Sequence, residues 1–179
     1  MDRPVELIAL KCFKCDTPVP AGSEEVAWVC KQCGQGLALD EKKGLVPLKI
    51  QFQAGLSPQS VGKPFWVAEG QAYIQRETYS GSGQTAEAAL FWSLPRTFYV
   101  PAFPCTMDIL IALGVRLLLQ PPALQPGSQA AFESITLAQA DLEAAAEFIV
   151  VAIEADRKDK LKKVQVSVKL SEPVLWILP

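Results

Sequence analysis

Val46, Leu48, Ile50 and Phe52 alternate with Pro47, Lys49 and Gln51, a period of two that predicts a half-buried strand. The alternation returns near the end of the chain: Val164, Val166, Val168 and Leu170 are spaced by Gln165, Ser167 and Lys169, and the apolar run Val174 to Leu178 reads as a last short strand. Phe65 to Ser80 reads as a hairpin broken at Glu69 and Gly70, set between loops at 54–64 and 81–84. Phe91 and Trp92, then Phe98, Tyr99 and Val100, suggest two more strands meeting at Leu94-Pro95-Arg96, because aromatic and β-branched side chains suit a pleated surface. The pattern then turns helical. Thr106 can cap a helix from Met107 to Leu119, stopped by Pro121 and Pro122. Thr136 with Gln139 makes a capping box for a second helix, from Leu137 to about Leu161, whose basic last turns suit the negative end of its dipole. On it Glu143, Glu147 and Glu154 form one stripe. Leu142, Ala145, Phe148, Ile149, Val151, Ala152 and Ile153 cover much of the rest, a face wide enough to be buried on more than one side.

The first 44 residues carry different chemistry. Two short β-prone approaches, residues 5–10 and Val26, Trp28 and Val29, lead into Cys12 and Cys15 and, fourteen residues on, Cys30 and Cys33. A two-residue spacer lets one tight turn present two thiolates from the same side, and two such turns complete a tetrahedral shell for zinc. Gly34 follows the second pair, where a turn needs positive φ, and Asp16 takes that place in the first. Two disulfides would suit an exported chain, but no export signal is seen in Met1 to Glu6. A redox pair usually occurs singly beside a βαβ pattern, which is absent here. Spacing alone leaves iron open as the metal. Four thiolates leave no free coordination position, so the ion should fold the segment rather than catalyse, and a binding energy on the order of 10 kcal/mol is ample for that.

With these knuckles, roughly residues 5–45 resemble a zinc ribbon of the rubredoxin type, a class common in transcription and replication proteins. Many such ribbons bind nucleic acid. Here Arg3, Lys11, Lys14, Lys31, Lys42 and Lys43 are outnumbered by Asp2, Glu6, Asp16, Glu24, Glu25, Asp40 and Glu41, and a tetrathiolate zinc centre adds about −2, so nucleic acid is disfavoured as this ribbon's partner. The ribbon followed by Pro64-Phe65-Trp66-Val67 and Tyr79-Ser80-Gly81 is also similar to bacterial proteins with a transcription-factor-type ribbon and a Pro-Phe-Trp strand. That group has no settled activity, and the resemblance implies architecture alone.

Together these features predict an α+β protein: a zinc ribbon over residues 1–44, then residues 45–179 as a mainly antiparallel sheet packed against two helices. Half of the 179 residues are hydrophobic and 20% are charged, a slightly apolar balance consistent with either a well-filled core or a subunit contact. The net charge of −2 lacks the footprint of a protein gripping phosphate backbones; the densest basic cluster, Arg157, Lys158, Lys160, Lys162 and Lys163, is interrupted by Asp159. No apolar run reaches the roughly 20 residues that span a bilayer, and a cytoplasmic location is expected. The absence of histidine removes Ser-His-Asp and Cys-His systems. Cys105, just before the Thr106 cap, reads as a buried apolar residue, the alternative being a thiolate activated by the helix dipole or Arg96. Arg76, Glu77, Tyr79, Arg96 and Tyr99 either converge in a cleft or line solvated strand faces. Trp28, Trp66, Trp92 and Trp176 read as core or ribbon-docking residues. The expected function is a noncatalytic interaction or assembly module with a protein partner or a second copy of itself. Alternatives are an enzyme or small-ligand site in the α+β domain, and a nucleic-acid-binding ribbon. No catalytic or cofactor-binding residues are assigned; the metal ligands are Cys12, Cys15, Cys30 and Cys33.

Overall fold

A computed structural model describes residues 10–40, 43–57, 59–80, 82–158 and 160–179. Most of the approach at 5–10, Glu41 and Lys42, and Gly81 of the expected loop at 81–84 fall outside these residues. β1 (Ala27–Val29), β2 (Gly36–Asp40) and β3 (Gly44–Leu48) form a three-stranded antiparallel sheet beside the cysteines. At Lys49 the chain leaves it, and β4 (Ile50–Phe52) joins a second sheet. The alternating run from Val46 to Phe52 is therefore divided between two sheets, its residues paired first with β2 and then with β8 (Val174–Leu178).

The second sheet is built around β5, one strand of 18 residues from Lys63 to Ser80. The hairpin break expected at Glu69 and Gly70 does not occur. What changes there is the company: Lys63–Val67 pairs with β8 and Phe65–Gly70 with β6 (Arg96–Pro101), whereas Gly70–Ser80 pairs with β7 (Lys160–Leu170). Pairings to β5 are antiparallel, and β4 joins β8 in parallel. β7 and β8 run end to end along one side of β5, and the Ser171 N–H bonds the Glu69 carbonyl across their junction at 2.8 Å.

Among the described residues three helices accompany this sheet rather than two. α1 (Ser82–Trp92) replaces the expected loop at 81–84 and takes in Phe91 and Trp92, which were expected on a strand. The helix-forming run Thr85-Ala-Glu-Ala-Ala-Leu90 outweighs the two aromatics that follow it. α2 (Met107–Leu119) begins where expected, with Thr106 Oγ1 accepting from the Ile109 N–H at 3.5 Å. α3 is shorter than expected, Leu142–Ala155 behind a single 3₁₀ turn at Gln139–Asp141. The capping box at Thr136 does not form, because the Thr136 and Leu137 N–H groups both donate to the Ala102 carbonyl and hold this stretch against the end of β6. Lys160 and Leu161, expected in the last helical turn, open β7 instead.

Each helix shields a strand edge, which would otherwise present unpaired backbone groups. α2 lies along β6, and a side chain at Gly114 would come 3.4 Å from the Tyr99 carbonyl and 2.2 Å from Ile149 of α3. α3 lies along β7, where the Val168 and Leu170 N–H groups donate to Glu147 and Glu143, both at 3.4 Å. α1 flanks β5 beyond the reach of β6, leaving a groove of about 500 Å³ between Ala72, Ile74 and Arg76 on the strand and Ala88, Ala89 and Trp92 on the helix. The main core gathers Trp66, Phe98, Val100, Ile149, Val150, Leu175 and Ile177; each large side chain buried there stabilises the fold by about 1.5–3 kcal/mol. A second cluster of Phe65, Tyr99, Phe103 and Leu178 packs with Leu113 and Leu117 of α2. The first sheet is fixed on this body through Ala27, which bridges to Ile135, and the Val26 N–H, which donates to the Ile135 carbonyl at 2.9 Å.

Candidate metal centre

The two Cys-x₂-Cys segments form matching turns. In the first, the Asp16 N–H donates to the Cys12 carbonyl at 2.8 Å and the Cys12 N–H to Thr17; in the second, Gly34 and Cys30 repeat the first bond at 2.8 Å, and Cys30 donates to Gln35. Asp16 (φ 57°) and Gly34 (φ 71°) occupy equivalent left-handed positions, which is the conformation expected after each pair. These turns bring the sulfurs of Cys12, Cys15, Cys30 and Cys33 within 4.8 Å of one another. Cys12 and Cys33 stand 3.6 Å apart, and Cys15 and Cys30 3.5 Å. A tetrahedron with metal–sulfur bonds of 2.3 Å has edges of about 3.8 Å, so the four thiols are spaced as a metal shell, whereas a disulfide would draw two of them to about 2.05 Å. All four are free thiols. They could hold a metal ion.

Electrostatics divides the thiols. The side chain of Thr17, 3.2 Å from Cys15 Sγ, together with the Thr17 backbone N–H, lowers the Cys15 pKa to about 6. At Cys33 the Gln35 backbone N–H acts in the same direction, but burial and the neighbouring sulfurs outweigh it and push that thiol up to about 12. Beneath the sulfurs, Cys12 and Cys30 pack with Val19, Trp28 and Leu37 in a small apolar cluster of their own. Trp28 is held by its indole N–H, which donates to Glu25 at 2.8 Å.

The other sequence candidates do not converge. Arg76 points inward while Glu77 and Tyr79 are exposed. Arg96 lies 3.9 Å over the Phe91 ring and donates to the Phe91 carbonyl, tying the end of α1 to the start of β6. Tyr99 is buried, which raises its pKa. Cys105 lies past the other end of β6, and burial raises its thiol, with Lys63 lowering it and Glu133 raising it further, so it is poorly suited to act as a thiolate. The tryptophans serve packing: Trp66 donates to the Leu137 carbonyl from the core, and Trp176 is half-buried in the second cluster.

A polar centre lies where the sequence pattern shows only a stripe of glutamates. Glu154, placed on a stripe with Glu143 and Glu147, is fully buried and meets Arg76 at 2.8 Å, Arg157 at 2.8 Å and the Trp92 indole N–H at 2.8 Å. These groups join β5, α1 and the end of α3. The i,i+3 spacing of Glu154 and Arg157 was visible; that β5 would deliver Arg76 beneath them was not. Comparison with protein-family models, with curated proteins and with solved structures finds no match for this chain.

Proposed function

We propose that the protein is a noncatalytic interaction module in which a zinc-organised ribbon is fixed on an α+β body, and that the body presents an apolar helix face to a protein partner, a second copy of the chain first among them. The observation that carries this reading is on α3. Ala144, Phe148, Val151 and Ala155 are spaced as one helical row and are exposed; Phe148 retains 49% and Val151 37% of its accessible surface. The opposite side of the same helix, Ala145, Ala146, Ile149 and Val150, is in the core. A helix apolar on both sides fits one that meets a second surface.

For the ribbon, Cys12, Cys15, Cys30 and Cys33 would ligate zinc as thiolates, with Thr17 donating to Cys15. Zinc suits four sulfurs in this arrangement, and a closed shell gives it a folding role. The test is native mass spectrometry of the protein, with and without a chelator, alongside Phe148→Glu. One zinc per chain in a multimer that Phe148→Glu reduces to monomer supports both parts. A zinc-bearing monomer removes the second copy as partner and redirects the search to another protein. Protein that binds no zinc overturns the metal assignment.

A further inference from the structure

The long ribbon of β5 and β7 gathers charge that the whole chain disguises. β7 carries Lys160, Lys162, Lys163 and Lys169 and no acidic residue. In the pairing register, Lys163 stands opposite Glu77, Gln165 opposite Gln75, Ser167 opposite Tyr73 and Lys169 opposite Gln71, so these side chains share one face. The other face, with Ala72, Ile74, Val166 and Val168, packs into the core. Two aromatic rings lie on the outer side, Tyr73 at 59% and Tyr79 at 72% exposure. Their positions on the strand are separated by about 20 Å. β5 carries two carboxylates, Glu69 and Glu77, against four lysines on β7; the register places Lys163 and Lys169 on this face, Lys160 opposite Ser80 and Lys162 at a register shift beside Glu77.

We infer that this face binds single-stranded nucleic acid, with the lysines meeting phosphates and the tyrosine rings stacking on bases. Charge complementarity selects a polyanion. Exposed aromatic rings interleaved with lysine and with the neutral donors Gln75, Gln165 and Ser167 favour a strand with unpaired bases over a membrane, because no apolar row on this face could enter a lipid layer. The site is separate from the cysteine ribbon, whose own charge is net negative, and does not depend on it.

The charge count fixes the expected salt dependence. Lys162 approaches Glu77 at 3.4 Å and Lys169 approaches Glu143 at 3.5 Å, whereas the ion pairs seen among the described residues include neither Lys160 nor Lys163. Two to four phosphates neutralised give a slope of log affinity against log salt between about −1.4 and −2.8 for a single strand. The experiment is fluorescence anisotropy of a labelled unstructured oligonucleotide titrated with the full chain at increasing salt. It is repeated with Lys160→Gln/Lys163→Gln and with Tyr73→Ala/Tyr79→Ala, whose folding is checked by circular dichroism. Binding with a slope in that range, flattened by the lysine pair and weakened at least fivefold by the tyrosine pair, supports the site. Failure to bind at low salt, binding indifferent to both pairs, tighter binding to a duplex of equal length, or binding only to vesicles containing phosphatidylserine would each overturn it.

Discussion

Glu154 decides more of the interior than any other charged residue described. Its carboxylate is fully buried and shared between Arg76, 2% exposed, and Arg157, 14% exposed, with Trp92 completing the set. Such a group adds modest net stability while intact, yet removing one partner leaves charge in a poor solvent. Glu154→Gln keeps the shape and withdraws the carboxylate from both guanidinium groups. It should destabilise the fold by about 3–5 kcal/mol in urea unfolding. Glu147→Gln, one stripe position away but partly exposed and bonded at 3.4 Å, should cost less than about 1 kcal/mol. Equal effects would mean that burial is not what makes Glu154 matter. The stripe was legible in the sequence; which of its members would be buried was not, because that depends on a strand placed 78 residues earlier.

Among the elements, α2 and α3 cross at a point set by one glycine. Gly114 lies mid-helix, where replacement by alanine would ordinarily add about 1 kcal/mol of helix stability. Here the new methyl would meet Ile149 Cδ1 at 2.2 Å and Cγ1 at 2.6 Å, and Ile149 is itself fully buried. Packing should prevail over propensity: Gly114→Ala is expected to destabilise by about 1–3 kcal/mol, and Ile149→Val in the same chain should recover part of it. A stabilised Gly114→Ala would show that the helices separate freely. α2 was readable in advance because its cap, periodicity and proline stop are local. α3 was misjudged at both ends because its neighbours overruled local signals: Ala102 claims the backbone of Thr136, and β5 draws residues from 160 onward into a strand.

At the scale of the molecule, two sheets meet through Ala27, Val26 and Ile135, while the cysteine turns keep a separate small apolar cluster. Metal removal should therefore act locally. With the metal chelated at neutral pH, whichever ion the four cysteines hold, β1 to β3 should lose hydrogen-exchange protection and the emission of Trp28 should shift to the red, while β5 to β8 remain protected. Loss of protection throughout would mean that the ribbon is integral to the larger core. The net charge of −2 is unevenly distributed at this scale: β7 carries four lysines and no carboxylate, and the acidic balance lies elsewhere in the chain. Among the described residues no helix is long and apolar enough to cross a membrane, as the lack of a long apolar run implied.

By itself the sequence determined what depends on neighbours a few residues apart: the two cysteine turns with their positive-φ residues, the helix capped by Thr106, the alternation of Val164 to Leu170, and the mixture of helices with mainly antiparallel strands. Turn geometry, capping and side-chain periodicity are local, so spacing suffices to read them. Only the tertiary structure decided that β5 runs unbroken through Gly70, that Phe91 and Trp92 belong to a helix, that Glu154 is enclosed by two arginines, and that Lys163 and Lys169 share a face with Tyr73. Each of those outcomes depends on partners distant in the chain, and long-range pairing and burial outweigh the few tenths of a kcal/mol by which local preferences differ.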